Sequence, residues 1–178
     1  MSERSSVYAR VRLSRAAVER FLDAPIAPID RHQDWAVLGT QVPSLLSTVR
    51  YPGLTTNRSW LDRVQGQQEL ASDWTYEESA GAFHFHMLQI DEDLGDYIAA
   101  LNVLRSSSDF KDSDGDDFAA IYSYYFSDFV DAVCRIRKGS SSVQRGAIDS
   151  PEFRAFKSEA DQWLEGVTNR LSEHPPGA

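Results

Sequence analysis

Cysteine is nearly absent from this 178-residue chain, and long apolar runs are missing altogether. Because Cys134 is the single cysteine, the chain can form neither an internal disulfide nor a zinc site built from cysteines. No stretch approaches the roughly 18 consecutive apolar residues that a membrane-spanning helix needs. Arginines interrupt the apolar positions of Val7–Leu13, unlike the core of a secretory signal. We therefore expect a cytoplasmic protein that does not associate with a membrane.

Positive charge is also scarce, because 18 Lys and Arg stand against 27 Asp and Glu and leave a formal net charge of −9. A protein with a pI near 4.8 lacks the basic face that binds nucleic acid or an anionic membrane surface, so we expect neither as a partner. Hydrophobic residues make up 42% of the chain, which is sufficient for one globular core at this length. We expect residues 1–178 to form a single domain with a frayed tail over 175–178.

Sequence motifs of the common enzyme classes are missing. The chain contains no Gly-x-Ser-x-Gly nucleophile elbow, no phosphate-binding P-loop and no Gly-x-Gly-x-x-Gly dinucleotide loop. Cys134 lies at the edge of an apolar stripe, where a cysteine is typically a small buried side chain and not a reactive thiol. We therefore expect a binding protein that uses no cofactor, and not an enzyme.

The first half of the chain shows strand-like patterns. Apolar and polar residues alternate over Val7–Leu13, as in a half-buried strand, and Ser14 is a suitable N-cap for a helix that follows. The segments 70–76 and 82–90 are separated by a turn and can pair as a hairpin. Residues 39–70 are compatible with either loop or strands.

The second half shows helical spacing. Apolar residues trace one helical stripe over 94–104 and another after Pro151, which suits the first turn of a helix. Apolar residues from Phe118 to Val133 also recur at helical spacing, and Gly139 follows as a candidate C-cap. Together the patterns predict a single α+β domain. A small, mostly antiparallel sheet from the N-terminal half would pack against about three helices from the C-terminal half.

His84 and His86 have the spacing of a pair of metal ligands. Two residues apart on a predicted strand, they share one face, and Asp91 follows closely enough to add a carboxylate of the kind that iron or zinc accepts. The reading we favour places both histidines on the polar side of a strand whose other side is apolar. A small enzyme or metal-binding protein that uses His84 and His86 is the alternative function.

The aspartates of Asp112–Asp117 alternate as they do at the start of a calcium loop. Counted from Asp112, position six carries Asp117 where an EF-hand needs glycine, and Ser123 stands where the bidentate glutamate belongs. The segment is better read as a solvated acidic connection that caps the element after it.

The excess acid is concentrated between Asp91 and Asp117, where nine acids stand against two basic residues and leave a charge of −7. A helix over 118–133 would extend this surface, with Asp117, Tyr124, Asp128 and Asp131 on its outer face. Tyr124 would then be an exposed aromatic among carboxylates, an arrangement common in binding anchors. The predicted partner-binding residues are Asp91, Glu92, Asp93, Asp96, Asp112, Asp114, Asp116, Asp117, Tyr124, Asp128 and Asp131.

In its size, its acidic segment Asp91–Asp117 and its aromatic-rich segment Phe118–Phe129, the chain resembles bacterial immunity proteins, which neutralise toxins delivered by contact-dependent or type VI secretion systems. The resemblance implies a partner class, a toxin domain with a basic active-site cleft. It carries over no functional residue, because it includes no diagnostic motif. We predict a module that binds and neutralises a basic protein, by plugging its active site or by allostery. A homo-oligomeric scaffold is a further possibility, and the oligomeric state stays open.

Overall fold

The computed structural model describes residues 5–66, 72–90, 94–122 and 130–173 of a single α+β domain. Its strands are β1 (Ser5–Arg12), β2 (Asp73–Glu77), β3 (Ala82–Ile90), β4 (Asp117–Tyr122), β5 (Val130–Arg137) and β6 (Ser140–Arg145). Its helices are α1 (Arg15–Asp23), the single turn α2 (Val42–Leu45), α3 (Asn57–Gln65), α4 (Leu94–Ser106) and α5 (Pro151–Glu173). The strands form one sheet in the order β2-β3-β1-β4-β5-β6, and every neighbouring pair is antiparallel. The α+β class and the antiparallel sheet are confirmed. The predicted division between the halves is wrong, because β4, β5 and β6 lie in the C-terminal half and α1, α2 and α3 lie in the N-terminal half.

Strand β1 lies at the centre of the sheet and shows how its two faces differ. Arg10 is paired with His84 on β3 and with Phe118 on β4. Because side chains alternate along a strand, Tyr8 and Arg10 point to the face that α5 covers, which we call the α5 face. Val7 points to the opposite face, which packs against α1, α3 and α4.

Two hydrophobic cores result, one on each side of the sheet. The larger one includes Phe21 of α1, Leu61 of α3 and Leu101 of α4, all fully buried. The smaller one forms where Phe153 and Phe156 of α5 pack on the sheet. Burial on both sides explains why β4, with the sequence DFAAIY, is almost entirely apolar after Asp117.

The predicted helix over 118–133 is wrong, because this segment contains strands β4 and β5. All six residues of β4 are buried: Phe118 and Tyr122 face α5, whereas Ala119 and Ile121 face the larger core. A strand buried on both faces reads as a continuous apolar run, and such a run contains a helical stripe by chance. Gly139, with φ of 72°, lies in the tight turn between β5 and β6 and does not cap a helix.

The other predicted elements are mostly confirmed. The Ser14 side chain caps α1 by accepting the Ala17 N–H, β2 and β3 form the predicted hairpin, and α4 and α5 occur where expected. Residues 39–66 hold α2 and α3 and no strand. The predicted tail over 175–178 lies outside the described residues. Within the described ranges, none of the helices is both long and apolar enough to cross a membrane.

Candidate functional site

One end of the central strands, where β1 ends at Arg12, β4 begins at Asp117 and β5 ends at Arg137, is called the lower edge of the sheet. It is formed by strand ends and is distinct from the edge strands β2 and β6. Asp117 is only 5% exposed and accepts hydrogen bonds from the backbone N–H and Nε of Arg12, at 3.1 and 2.6 Å. The same carboxylate pairs with the buried ammonium group of Lys111. The prediction that Asp117 lies on an outer helical face is therefore wrong: it is an internal counter-ion.

Asp116, next to it, is also engaged within the protein. Its carboxylate accepts hydrogen bonds from Arg137 Nε at 2.5 Å and Nη2 at 3.2 Å, and Arg135 Nε lies 3.4 Å away. Its carbonyl oxygen accepts from Arg12 Nη2 at 2.8 Å. The hydrogen bond from Arg137 is the main reason that the pKa of Asp116 lies below its usual range.

Two further aspartates at the lower edge are exposed. Asp112 accepts a hydrogen bond from the Ser14 hydroxyl at 2.5 Å, which lowers the pKa of this carboxyl, and Arg20 lies 3.6 Å away. The Asp114 side chain forms no ion pair with any described residue. Of the four predicted aspartates here, three thus already have partners within the chain.

The upper edge, at the opposite end of the strands, is where β1 begins and β3 and β4 end. Ser5 pairs with Ile90 there, Ser6 pairs with Tyr122, and Tyr122 pairs with Val130 at the start of β5. At about 3.3 Å per residue, the eight residues of β1 separate the two edges by about 25 Å.

Two of the remaining predicted acids lie within the described residues, and both are near the upper edge. Asp131 is exposed at the bulge where the pairing of β5 with β4 shifts register, and Asp96 is exposed in the first turn of α4, soon after β3 ends. The other predicted residues lie outside the described part of the chain: Asp91, Glu92, Asp93, Tyr124 and Asp128. The eleven predicted residues therefore do not form one surface, because the described ones divide between two opposite edges.

Internal ion pairs use most of the positive charge. Of the 16 Lys and Arg side chains that the structure describes, 12 lie within 4.0 Å of a carboxylate oxygen. They are Arg10, Arg12, Arg15, Arg20, Arg31, Arg58, Arg105, Lys111, Arg135, Arg137, Arg154 and Lys157. Because most basic residues already have an acidic partner, the excess of nine acids in the whole chain is made up of carboxylates without a basic partner.

A polar network lies between α5 and the sheet. The Tyr8 hydroxyl donates to Glu159 Oε1 at 2.8 Å, and Arg10 Nη1 lies 3.3 Å from the other oxygen of that carboxylate. His84 Nδ1 is 3.3 Å from the same hydroxyl, while His84 Nε2 is 3.4 Å from Glu77 Oε2. Burial raises the pKa of Tyr8 and lowers the pKa of His84, and thus favours the neutral form of each side chain.

His84 and His86 share the α5 face, as the strand periodicity predicts. His86 stacks on Trp163 of α5 with ring centroids 4.0 Å apart. Over the described part of the chain, no three His, Cys, Asp or Glu side chains form a group that could hold a metal ion. Cys134 is fully buried, which raises its pKa to about 12, so the prediction of a small buried side chain is confirmed.

A buried ion pair beside strand β6 involves two residues that no sequence pattern singled out. Arg105 is 1% exposed, and its Nη2 donates to Asp34 Oδ1 at 2.7 Å while its guanidinium lies 4.6 Å over the Trp35 ring. Asp34 Oδ2 accepts the N–H of Val143, which points out from the free side of edge strand β6. Asp34 thereby blocks an edge that another strand could otherwise join. No local signal relates Asp34 to Arg105, because 71 residues separate them.

Comparisons with protein-family models, with curated proteins and with solved structures found no match to this chain. The function must therefore be argued from its own residues and their geometry.

Proposed function

We propose that this chain is an acidic protein-binding module that docks on a basic partner protein and neutralises it. The distribution of ion pairs is the observation that carries the proposal. Most described cations form ion pairs with carboxylates of the same chain, many of them at the surface, so the excess of acids creates a surface field of one sign. Such a field speeds the capture of a partner of opposite charge.

The upper edge is the docking surface that we favour. Asp131 is exposed there and pairs with no described cation. By sequence, Asp91–Asp93 adds three acids directly after β3, and the connection from β4 to β5 contributes Tyr124 as the proposed aromatic anchor. A partner that bound the lower edge would instead compete with the internal ion pairs of Asp116 and Asp117, at a cost in free energy.

The partner class follows from the resemblance to immunity proteins. A toxin domain that acts on an anionic substrate has a basic cleft, and carboxylates from the upper edge would occupy that cleft in place of the substrate. The charge of the chain suits this role, because complementary potentials set association rate and partner choice more than they set affinity.

The test is to capture the partner with the tagged, full-length chain from a lysate of its source organism. Washes at low and at moderate salt, followed by mass spectrometry, should leave one stoichiometric basic protein, and adding the chain should inhibit that protein's activity. Rising ionic strength should slow the association, because salt screens a surface field. A recovered partner that is acidic, or whose activity the chain leaves unchanged, would contradict the proposal.

A small enzyme or metal-binding protein is the second candidate, and the network around His84 favours it. His84 lies between Glu77 and the Tyr8 hydroxyl, an arrangement that can move a proton. Metal analysis of the purified chain, compared with the double variant His84→Ala and His86→Ala, tests this candidate. A metal lost from a folded double variant would support it, and equal metal content in both would oppose it.

A further inference from the structure

A pocket of about 220 Å³ opens on the α5 face, between the beginning of α5 and the lower ends of β1 and β4. Phe118 and Phe156 line its apolar part, Arg10 and Arg12 extend into it from β1, and Glu152 contributes from the first turn of α5. Its volume lies below the range of about 300 to 1,000 Å³ that is usual for drug-sized ligands. The pocket therefore suits a small molecule.

The acids around the pocket are largely satisfied by neighbouring cations. Asp117 is held by Arg12 and by Lys111, and Asp116 is held by two arginines of β5. Glu159 receives both the Tyr8 hydroxyl and Arg10. None of these three carboxylates is free to repel an anion in the pocket.

Arg10 keeps unused donors. Among the described contacts only its Nη1 reaches a carboxylate, so Nε and Nη2 remain available along one side of the planar guanidinium group. That side presents two parallel N–H bonds, which match the two oxygens of a carboxylate. Its side chain is 32% exposed, so a ligand can reach it from solvent.

The charged residues that line the pocket are two cations, Arg10 and Arg12, and three acids, Asp116, Asp117 and Glu152. When the ion-pair partners of these residues are included, the cations outnumber the acids by five to four, because Lys111, Arg135 and Arg137 pair with the aspartates and Glu159 pairs with Arg10. Glu152 is exposed and forms no ion pair with any described residue, so its charge alone at the pocket is unbalanced. Because Asp116 and Asp117 are neutralised by their own cations, the free donors of Arg10 are the site for an anion, and Glu152 is the charge that opposes its binding.

We infer that this pocket binds a small monocarboxylate with an apolar body, its carboxylate on Arg10 and its body against Phe118 and Phe156. The inference does not depend on the proposed function, since it concerns the lower edge and a ligand of the opposite charge to the proposed partner. The carboxylate would gain charge-assisted hydrogen bonds, and the two rings would exclude water from its apolar part.

Three ligands of similar shape but different charge test whether the pocket prefers an anion. The ¹⁵N-labelled full-length chain is titrated at constant ionic strength with benzoate, with neutral benzamide and with cationic benzamidinium. Benzoate should give saturable amide shifts centred on Arg10, Phe118 and Phe156, and the other two should bind more weakly. Equal binding of benzamide, stronger binding of benzamidinium or no saturable shift with benzoate would each overturn the inference.

Two variants with opposite expected effects sharpen the test. Arg10→Gln should weaken benzoate binding by about tenfold or more, the effect of losing a hydrogen bond to a charged group. Glu152→Gln should strengthen binding, because it removes the unbalanced acid. The matched controls Arg145→Gln and Glu165→Gln change exposed residues outside the pocket and should leave binding unchanged.

Arg10 also contacts Glu159, so its replacement can disturb the fold. The Glu152 variant then decides the outcome alone, because its side chain is exposed and unpaired among the described residues. Weaker benzoate binding in Glu152→Gln, or the same change in Glu165→Gln, would contradict the inference.

Discussion

Lys111 and Asp117 form an ion pair with almost no exposure to solvent: the Lys111 side chain is fully buried and that of Asp117 is 5% exposed. Arg12 completes the site by donating two hydrogen bonds to the same carboxylate. Asp117, which belongs to the most acidic stretch of the chain, thus stabilises the fold where β1, β4 and the turn before β4 meet. The acids available for a partner have to be sought elsewhere.

Removing Asp117 should destabilise the protein severely. Asp117→Ala leaves Lys111 buried without its counter-ion, so the free energy of unfolding should fall by about 3–5 kcal/mol. Asp114→Ala is the matched control, because Asp114 is exposed and unpaired among the described residues, and should stay within about 0.5 kcal/mol of the wild type. Urea unfolding of both variants checks this, and similar losses for the two would contradict a structural role for Asp117.

Asp34→Ala should loosen the free edge of β6. The change removes the acceptor of the Val143 N–H together with the counter-ion of Arg105, so unfolding should become easier by about 2–4 kcal/mol. Hydrogen exchange at the Val143 amide should accelerate more than at its neighbours. Asp30→Ala, an exposed change in the same segment, is the control. An unchanged exchange rate at Val143 in Asp34→Ala would be evidence that Asp34 does not protect this amide.

His32 should make the protein less stable as the pH falls. Burial, with Arg105 and Arg31 nearby, lowers its pKa to about 4, whereas the unfolded chain takes up this proton near pH 6.5. Between these two values the unfolded state binds more protons, so stability decreases from pH 6.5 to pH 4. The wild type should lose about 1–2 kcal/mol more between pH 7 and 4.5 than His32→Gln does. Identical pH profiles in urea unfolding would rule this explanation out.

Tyr8→Phe should weaken the attachment of α5 to the sheet. The lost hydroxyl donates to the Glu159 carboxylate, and hydrogen bonds to charged groups contribute about 1.5–3 kcal/mol. Tyr76→Phe removes a hydroxyl that donates to the neutral carbonyl of Leu13, for which about 0.5–1.5 kcal/mol is expected. Thermal or urea unfolding should rank the two variants in this order, and the reverse order would show that the network contributes little.

Local sequence signals predicted the elements that depend on local chemistry. Strand β1 and the Ser14 cap of α1 are examples, because alternation and a capping hydroxyl act within a few residues. The signal failed over 118–133, where burial on both faces of β4 produces an apolar run without the alternation of an ordinary strand. Asp117 was misplaced for the same reason, since a helix would have turned it outward.

Other features lay beyond any local pattern. The contacts of Asp34 with Arg105, and of Tyr8 with Glu159, join residues 71 and 151 positions apart. Such residues come together only through the packing of helices and connecting segments on the sheet, which depends on the whole chain. The charge imbalance was visible in the sequence, but its division between two edges of the sheet was not.

The central claim is that the upper edge is the docking surface. It is tested most directly by the rate at which two charge-reversal variants of the chain associate with the captured partner. Asp131→Lys changes the upper edge and Asp114→Lys changes the lower edge, about 25 Å away and beyond the screening length of about 8 Å at physiological salt. Asp131→Lys should slow association several-fold at low salt, and the effect should shrink as salt is added, whereas Asp114→Lys should have little effect. Equal rates for Asp131→Lys and the wild type, or slower association only for Asp114→Lys, would contradict the assignment of the upper edge as the docking surface.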